Sequence, residues 1–382
     1  GSLSSYSLNA EAMAAFDQYR DIHIAVNLDG DTGGLELTAA RLDHGDMVVN
    51  INGQVGWKDT LAWQGKLAAS NIDPAVYDSR WPGLLNVEVK TSGRLTDKGV
   101  AAAIDLVDLS GELKGYPVQA GGKMNVEGDE LFADSFMIQS SDSSVTINGY
   151  FGWKDRLSWR AELVGRNINP AVYDPRWPGH LEIEAYTSGR QTDKGMTAAI
   201  DLAGLDGELR GYPLHGKGKV NVDDNDIDID TFIIRSSDSI LRASGYVADA
   251  VDLSFEVEAA DLNTVWPDLA GSMRAEARIT GARQRPEFTF DMSGDSIIRG
   301  ETRVDSVHAS GNGALAPEGS LTASLAAAGV TVGGTSLETI SLDVDGMLGN
   351  HSLEARVEGA GASFLFRFTG GYAERYWRGH IS

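Results

Sequence analysis

Along most of this chain apolar and polar residues alternate one by one. Val100, Ala102, Ile104 and Leu106 alternate with Ala101, Ala103 and Asp105, and Leu157, Trp159, Ala161 and Leu163 with Ser158, Arg160 and Glu162. The same period returns at Leu181/Ile183/Ala185, Leu253/Phe255/Val257, Met273/Ala275/Ala277/Ile279, Phe288/Phe290/Met292, Ile340/Leu342/Val344 and Phe364/Phe366/Phe368. A period of two sets one face of a strand against apolar surroundings and the other in water. Glycine, Asp, Asn and Ser punctuate the pattern at the spacing of antiparallel turns, which predicts about 30 strands. One short helix is predicted, around Ala10 to Tyr19.

The pattern is repeated on a larger scale. Gly56-Trp57-Lys58-Asp59 returns as Gly152-Trp153-Lys154-Asp155, 96 residues later. At the same shift, Asn71-Ile72-Asp73-Pro74-Ala75-Val76-Tyr77-Asp78-Ser79-Arg80-Trp81-Pro82-Gly83 returns as Asn167-Ile168-Asn169-Pro170-Ala171-Val172-Tyr173-Asp174-Pro175-Arg176-Trp177-Pro178-Gly179. A degraded third copy places Leu253-Ser254-Phe255 opposite Leu157-Ser158-Trp159, with an early Trp266-Pro267. The reading is one continuous groove over 1–382, with approximate repeats at 44–139, 140–235 and 236–290 and further strands over 291–382. Gly1-Ser2 reads as a cleavage scar and the C-terminal end as cut within a strand, so the sequence is expected to be a piece of a longer protein.

Strands with one apolar face and no amphipathic helices to cover it must turn that face on itself. The expected fold class is all-β: a long antiparallel sheet curled into a U-shaped trough with an apolar interior. An apolar void of adequate width admits acyl chains. The proposed lining is Ile104, Leu106, Met124, Val126, Val145, Ile147, Leu157, Trp159, Leu163, Ile183, Ile200, Leu202, Ile227, Ile229, Leu253, Phe255, Val257, Met273, Ile279, Phe288, Phe290, Leu342, Val344, Phe364 and Phe366. The alternative for these residues is an ordinary dry core.

Charge and composition narrow the partners. The net charge is −23, from 55 acidic and 32 basic residues spread along the chain, so nucleic acid is not an expected partner. There is no cysteine, which removes disulfides, thiolate metal sites and thiol catalysis. Seven histidines lack metal-ligand spacing. Asp223-Asp224-Asn225-Asp226-Ile227-Asp228-Ile229-Asp230 lacks the central glycine and distal glutamate of a calcium loop. It reads instead as a strand with Ile227 and Ile229 inward. No catalytic residue, cofactor or metal is called. The Gly-Tyr-Pro turns at 115–117 and 211–213 and the Trp-Pro-Gly loops read as turns stapled by an aromatic ring, with a rim that guides lipid or a partner as the alternative.

The loops at 73–83 and 169–179 resemble those of the AsmA-like and TamB family of bacterial envelope proteins. So does the stretch Asp261-Leu262-Asn263-Thr264-Val265-Trp266-Pro267-Asp268-Leu269-Ala270-Gly271-Ser272, followed by Arg278-Ile279-Thr280-Gly281 and Pro286. The resemblance implies a β-groove crossing the periplasm, an inner-membrane anchor and an outer-membrane Omp85-type barrel (TamA-like) as partner, the last two through segments outside this chain. It also implies phospholipid as the conducted ligand. The rival expectations are a scaffold or chaperone for outer-membrane proteins, working by strand pairing, and, further off, a carbohydrate-active β-protein.

Overall fold

The computed structural model describes residues 4–16, 19–316, 318–347, 349–359, 361–373 and 376–381. Their regular structure is 25 strands and three single-turn 3-10 segments, with no α-helix. The chain forms two compact units, one of residues 1–168 with 183–191, the other of residues 169–182 with 192–382.

The first unit holds β1 (Tyr6–Phe16), β2 (Tyr19–Gly30), β3 (Gly34–His44), β4 (Met47–Gly56), β5 (Ala62–Ile72) and β6 (Gly83–Thr96). It continues with β7 (Gly99–Leu113), β8 (Tyr116–Glu127), β9 (Glu130–Ser140), β10 (Ser143–Gly152) and β11 (Ser158–Ile168). Strand β12 (Gly179–Gln191) is divided between the units. The second unit holds β13 (Met196–Leu209), β14 (Tyr212–Asp223), β15 (Asp226–Ser236), β16 (Ser239–Val247), β17 (Ala250–Ala259), β18 (Ala270–Ala282) and β19 (Arg285–Arg299). It ends with β20 (Thr302–Ala314), β21 (Ser320–Val332), β22 (Thr335–Met347), β23 (Asn350–Gly359), β24 (Ala362–Ala373) and β25 (Tyr376–Ile381). Within each unit every strand pairs antiparallel with the next in chain order.

This is the all-β antiparallel class the alternation calls for, and among the described residues no second layer is packed on the strands within either unit. Extensive packing occurs only between strands adjacent in sequence, apart from the short 3-10 turns at strand ends. The accessible surface is 23496 Å², against roughly 14,600 Å² for a packed monomer of this mass. Among the described residues no large side chain is fully buried, and the buried apolar ones, such as Ala69, Leu214, Val251, Ala309 and Val330, are scattered along one face. Bulges curl each unit about that face. The β7–β8 pairing slips between Leu106 and Leu109, and its 96-residue equivalent, β13–β14, slips between Leu202 and Leu205. Asn71 sits at φ 56° beside the slip in β5–β6 and fixes its neighbours by donating to Asp46 O at 2.9 Å.

Three expectations are corrected. Residues 10–16 are strand, not helix: Ala10, Ala12 and Ala14 stand opposite Val26, Ile24 and Ile22, so strand pairing overrides alanine's helix propensity. Residues 17 and 18 of the expected helix lie outside the described residues. There are fewer strands than foreseen because many glycines lie inside strands rather than at turns. The third copy is also misaligned by sequence. Val145 pairs with Gly165, whereas Leu241, 96 residues on, pairs with Val257. The β16–β17 hairpin is therefore four residues shorter, and Phe255, opposite Ala243, occupies the place of Leu163, opposite Ile147.

Several interior glycines make room for a ring on the adjacent strand. A Cβ on Gly218 would lie 2.3 Å from Phe232 Cδ2, one on Gly93 2.3 Å from Trp63 Cζ2, and one on Gly311 2.7 Å from Phe290 Cε1. Gly218→Ala is therefore expected to destabilise the second unit by about 1–3 kcal/mol, as overpacking does. Gly204→Ala, whose Cβ would meet only Asp206 Oδ2 at 3.4 Å, should leave the urea midpoint unchanged. Equal midpoints for the two variants would show that the ring is not seated on the glycine.

Candidate functional site: an apolar wall between two rims

Cross-strand register, rather than any single pocket, builds the site. In the first unit one row runs Ala12–Ile24–Leu42–Val49–Ala69–Val87–Leu109–Ala120–Ile138–Val145–Gly165 without a polar side chain. Parallel rows on the same face are Ile51–Leu67–Val89–Leu106 and Thr91–Ile104–Met124–Ala133. Val126, Leu131, Phe151 and Trp159 form another, and Ile147 stands opposite Leu163. Ile183 joins this face, its Cβ 3.4 Å from where a Cβ on Gly165 would be. Leu157 lies in the turn before β11, exposed, rather than in a strand.

The second unit is built alike. One row runs Leu202–Gly218–Phe232–Ala243–Phe255–Ala277–Phe290–Gly311–Ala323–Val344–Leu353–Phe368. The row beside it begins Ile200–Val220–Ile229–Gly245–Leu253–Ile279–Phe288. On the other side, Val257, Ala275, Met292, Ala309, Leu325, Leu342, Ala355 and Phe366 continue in register. Ile227, Met273 and Phe364 share the face, two residues along their strands from Ile229, Ala275 and Phe366. The sequence reading left out Ile24, Leu42, Val49, Leu109, Phe136 and Ile138 in the first unit and Phe232, Leu241, Met292 and Leu325 in the second. The same alternation in β2, β3, β4, β9, β15, β16, β19 and β21 carries all but Leu109, which the slip in β7 returns to the wall out of step with Leu106.

The opposite face is polar and ion-paired. Arg242 meets Glu256 at 2.7 Å, Arg278 meets Asp252 at 3.0 Å and Lys66 meets Glu88 at 2.8 Å. Tyr186 donates to Glu184 Oε1 at 2.6 Å, and that acceptor, with Glu162 nearby, pushes the phenol up to about 12. A furrow of about 800 Å³ in the first unit takes its polar lining, including Gln54, Gln64, Lys66, Lys90 and Lys123, from this outward face. The apolar wall is thus wide and open rather than an enclosed pocket.

Alternate turns of a meander fall on opposite rims. On one rim lie the long loops, each begun by a side-chain cap: Asp73 Oδ1 accepts from Ala75 N at 2.9 Å, Asn169 Oδ1 from Ala171 N at 3.0 Å and Asp261 Oδ1 from Asn263 N at 2.9 Å. Arg80 and Arg176 fork onto Asp78 and Asp174 and hold both carboxyls below their ordinary range. In the first unit Lys114 Nζ stands 4.0 Å over the Trp81 ring. In the second, Arg210, at the position 96 residues on, lies over Trp177, and Trp177 meets Trp266 edge-on at 5.9 Å. Arg210 also donates to Asn263 O at 2.6 Å and Asn263 Oδ1 at 2.9 Å, while Asn263 Nδ2 donates to Tyr212 OH at 2.8 Å. The tryptophans of the repeated motif are staples. Its tyrosines, Tyr77 and Tyr173, are 76% and 91% exposed.

The family model described as the TamB N-terminal domain matches residues 1–152 and 131–382. Among curated proteins, the translocation and assembly module subunit TamB of Haemophilus influenzae (strain ATCC 51907 / DSM 11121 / KW20 / Rd) is 24% identical over 310 residues. That alignment covers 78% of this chain and 24% of the relative, so the chain spans about a quarter of the relative's length. No solved structure matches. No helix among the described residues is long and apolar enough to cross a membrane.

The Arg210 fork should be measurable. Arg210→Ala removes two charge-assisted hydrogen bonds, a loss of about 2 kcal/mol, and should speed amide exchange at Val265 and Trp266. Arg210→Lys keeps a cation over the ring, as Lys114 does, and should lose less. Unchanged exchange in Arg210→Ala would mean that the loop holds without it.

Proposed function

The chain belongs to the TamB family, and from that premise we propose that its apolar wall holds phospholipid acyl chains and lets them slide along it, in transit between the inner and outer membranes. The observation that supports this is the register itself. Adjacent rows stay apolar across consecutive strands and, among the described residues of each unit, nothing covers them, so a guest that buries methylenes gains about 0.8 kcal/mol for each. Rows of similar composition repeat, so successive positions hold a chain about equally well and none traps it. The task needs no catalytic group; headgroups stay at the open edge.

The setting is the periplasm. The full-length protein would be anchored in the inner membrane and would meet a TamA-like Omp85 barrel. A second reading, a scaffold for outer-membrane protein assembly, takes its support from the relative's description as a translocation and assembly module subunit. An exposed strand edge would pair with an incoming strand.

Native mass spectrometry with lipid extraction, after incubation with phospholipid vesicles, separates the two. The parent is expected to carry phospholipid. Ile200→Glu with Phe255→Glu should abolish it while the chain stays folded, because the two positions are 53% and 38% exposed and tolerate charge. A parent that carries no lipid would sink the groove reading, whereas edge pairing would be indifferent to both substitutions.

A further inference from the structure

We propose that in the second unit the loop between β17 and β18, latched by Arg210, is a lip that bars one rim of the apolar wall. Lipid then enters, leaves and shows its headgroup only over the opposite rim; this rests on the groove reading above.

Register places the end of the wall beneath that loop. The open row that holds Val257 runs back through Leu241, Ile234 and Gly216 to Leu205. Two residues nearer the long loops, the same face ends in Gly207, Leu214, Ser236 and Ser239, with Ala259 on β17. These positions are shut away from water: Ser239 is 3% exposed and Ala259 2%. So is the loop's own Leu262, at 3%. Thr264 Oγ1 donates to Asp261 O at 2.7 Å and lies 2.7 Å from Ser239 Oγ, so the serine is the donor of that second bond. Ser236 Oγ donates to Thr264 O at 3.5 Å. A loop bonded to hydroxyls that point up from the wall lies on the wall side of the sheet, and it satisfies two polar groups that an acyl chain could not.

The lip also leans along the rim. Arg210 sits in the turn after β13 and Asn263 in the loop after β17, four strands on, about 19 Å along a flat edge at the spacing of paired strands. The Arg210 fork and the bond from Asn263 to Tyr212 close that distance and stretch the loop across the β15–β16 turn. The opposite rim has no comparable reach. Only Asp224-Asn225, Ala248-Asp249 and Arg283-Gln284 separate β14 from β15, β16 from β17 and β18 from β19, and two-residue turns do no more than close their hairpins. Arg283 ties these turns together, its Nη1 donating to Asn225 O at 2.9 Å and its N to Asp249 O at 3.0 Å. Toward that rim Met196 and Ile227 stay 46% and 38% exposed, while Val251 is buried. A chain crossing the lip must lift Leu262 off the wall and break the Arg210 fork, whereas at the other rim no loop stands in its way.

The test uses two phosphatidylethanolamine probes, one with a photoreactive diazirine on the headgroup amine and one with it at an acyl-chain end. Each is carried in phosphatidylcholine vesicles, incubated with the chain and irradiated, and the adducts are mapped by peptide mass spectrometry. Acyl-end adducts should fall on the wall, Phe255 and Phe290 among them. Headgroup adducts in the second unit should fall near Met196 and Ile227 and spare 209–214, 236–241 and 259–266. Arg210→Ala should raise headgroup adducts on those spared segments about tenfold, the change in opening that loss of one charge-assisted hydrogen bond allows. Arg283→Ala, which removes the staple of the other rim, should keep the parent's pattern. Headgroup adducts equal on both rims of the parent, or a pattern that Arg283→Ala shifts as far as Arg210→Ala does, overturn the lip and leave the groove standing. So does an unshifted pattern in Arg210→Ala once amide exchange shows its loop freed. Acyl-end adducts absent, or confined to the outward face, overturn the groove itself.

Discussion

Register is the constraint on which the rest depends. A strand slipped by one residue would turn its whole apolar set outward, onto a face that is polar and ion-paired. The rows from Ala12 to Gly165 and from Leu202 to Phe368 stay apolar only because each slip leaves parity intact on the wall. Leu106 and Leu109 flank such a slip in β7 and both remain on the wall, opposite Val89 and Val87. A bulge adds a residue and a bend together, so the feature that curls the sheet must also preserve which side chains face inward.

An open wall changes what packing must do. In a closed core a large ring fills space between layers, but within each unit the described residues form no opposing layer. Rings instead lie on glycines of the adjacent strand, as Trp63 does on Gly93 and Phe232 on Gly218. The wall keeps its apolar area and stays low in relief. Stability then comes mainly from the ladders and from the rims, where caps, forked Asp–Arg pairs and cation–ring contacts fix loops that would otherwise fray.

The sequence made the class and the inward face legible because a period of two is local information: Leu253, Phe255 and Val257 announce their side without reference to any partner. Pairing is not local. The repeat aligned Phe255 with Trp159, yet a hairpin four residues shorter hands Phe255 the place of Leu163, which no inspection of residues 253–255 alone would reveal. Ala10 to Ala14 carry too little bulk to advertise a strand, and only Val26, Ile24 and Ile22 across the ladder make them one. The loop motif was legible as a staple through its tryptophans, but not in its division of labour, since nothing in the order Tyr-Asp-x-Arg-Trp says which ring packs and which projects.

The two full repeats also show which surfaces the architecture holds fixed. At 96 residues' distance the rim and wall residues Trp57, Trp63, Trp81 and Thr91 recur unchanged as Trp153, Trp159, Trp177 and Thr187. On the outward face Lys66 and Lys90 become Glu162 and Tyr186. An outward side chain is held by water and by one or two ion pairs worth little each, so reversing its charge leaves the ladder undisturbed. A rim indole is held by its glycine, its threonine and the turn that follows, so replacing it disturbs all three. Rims and wall are therefore where this fold encodes what the molecule meets, and the outward face mainly sets its charge.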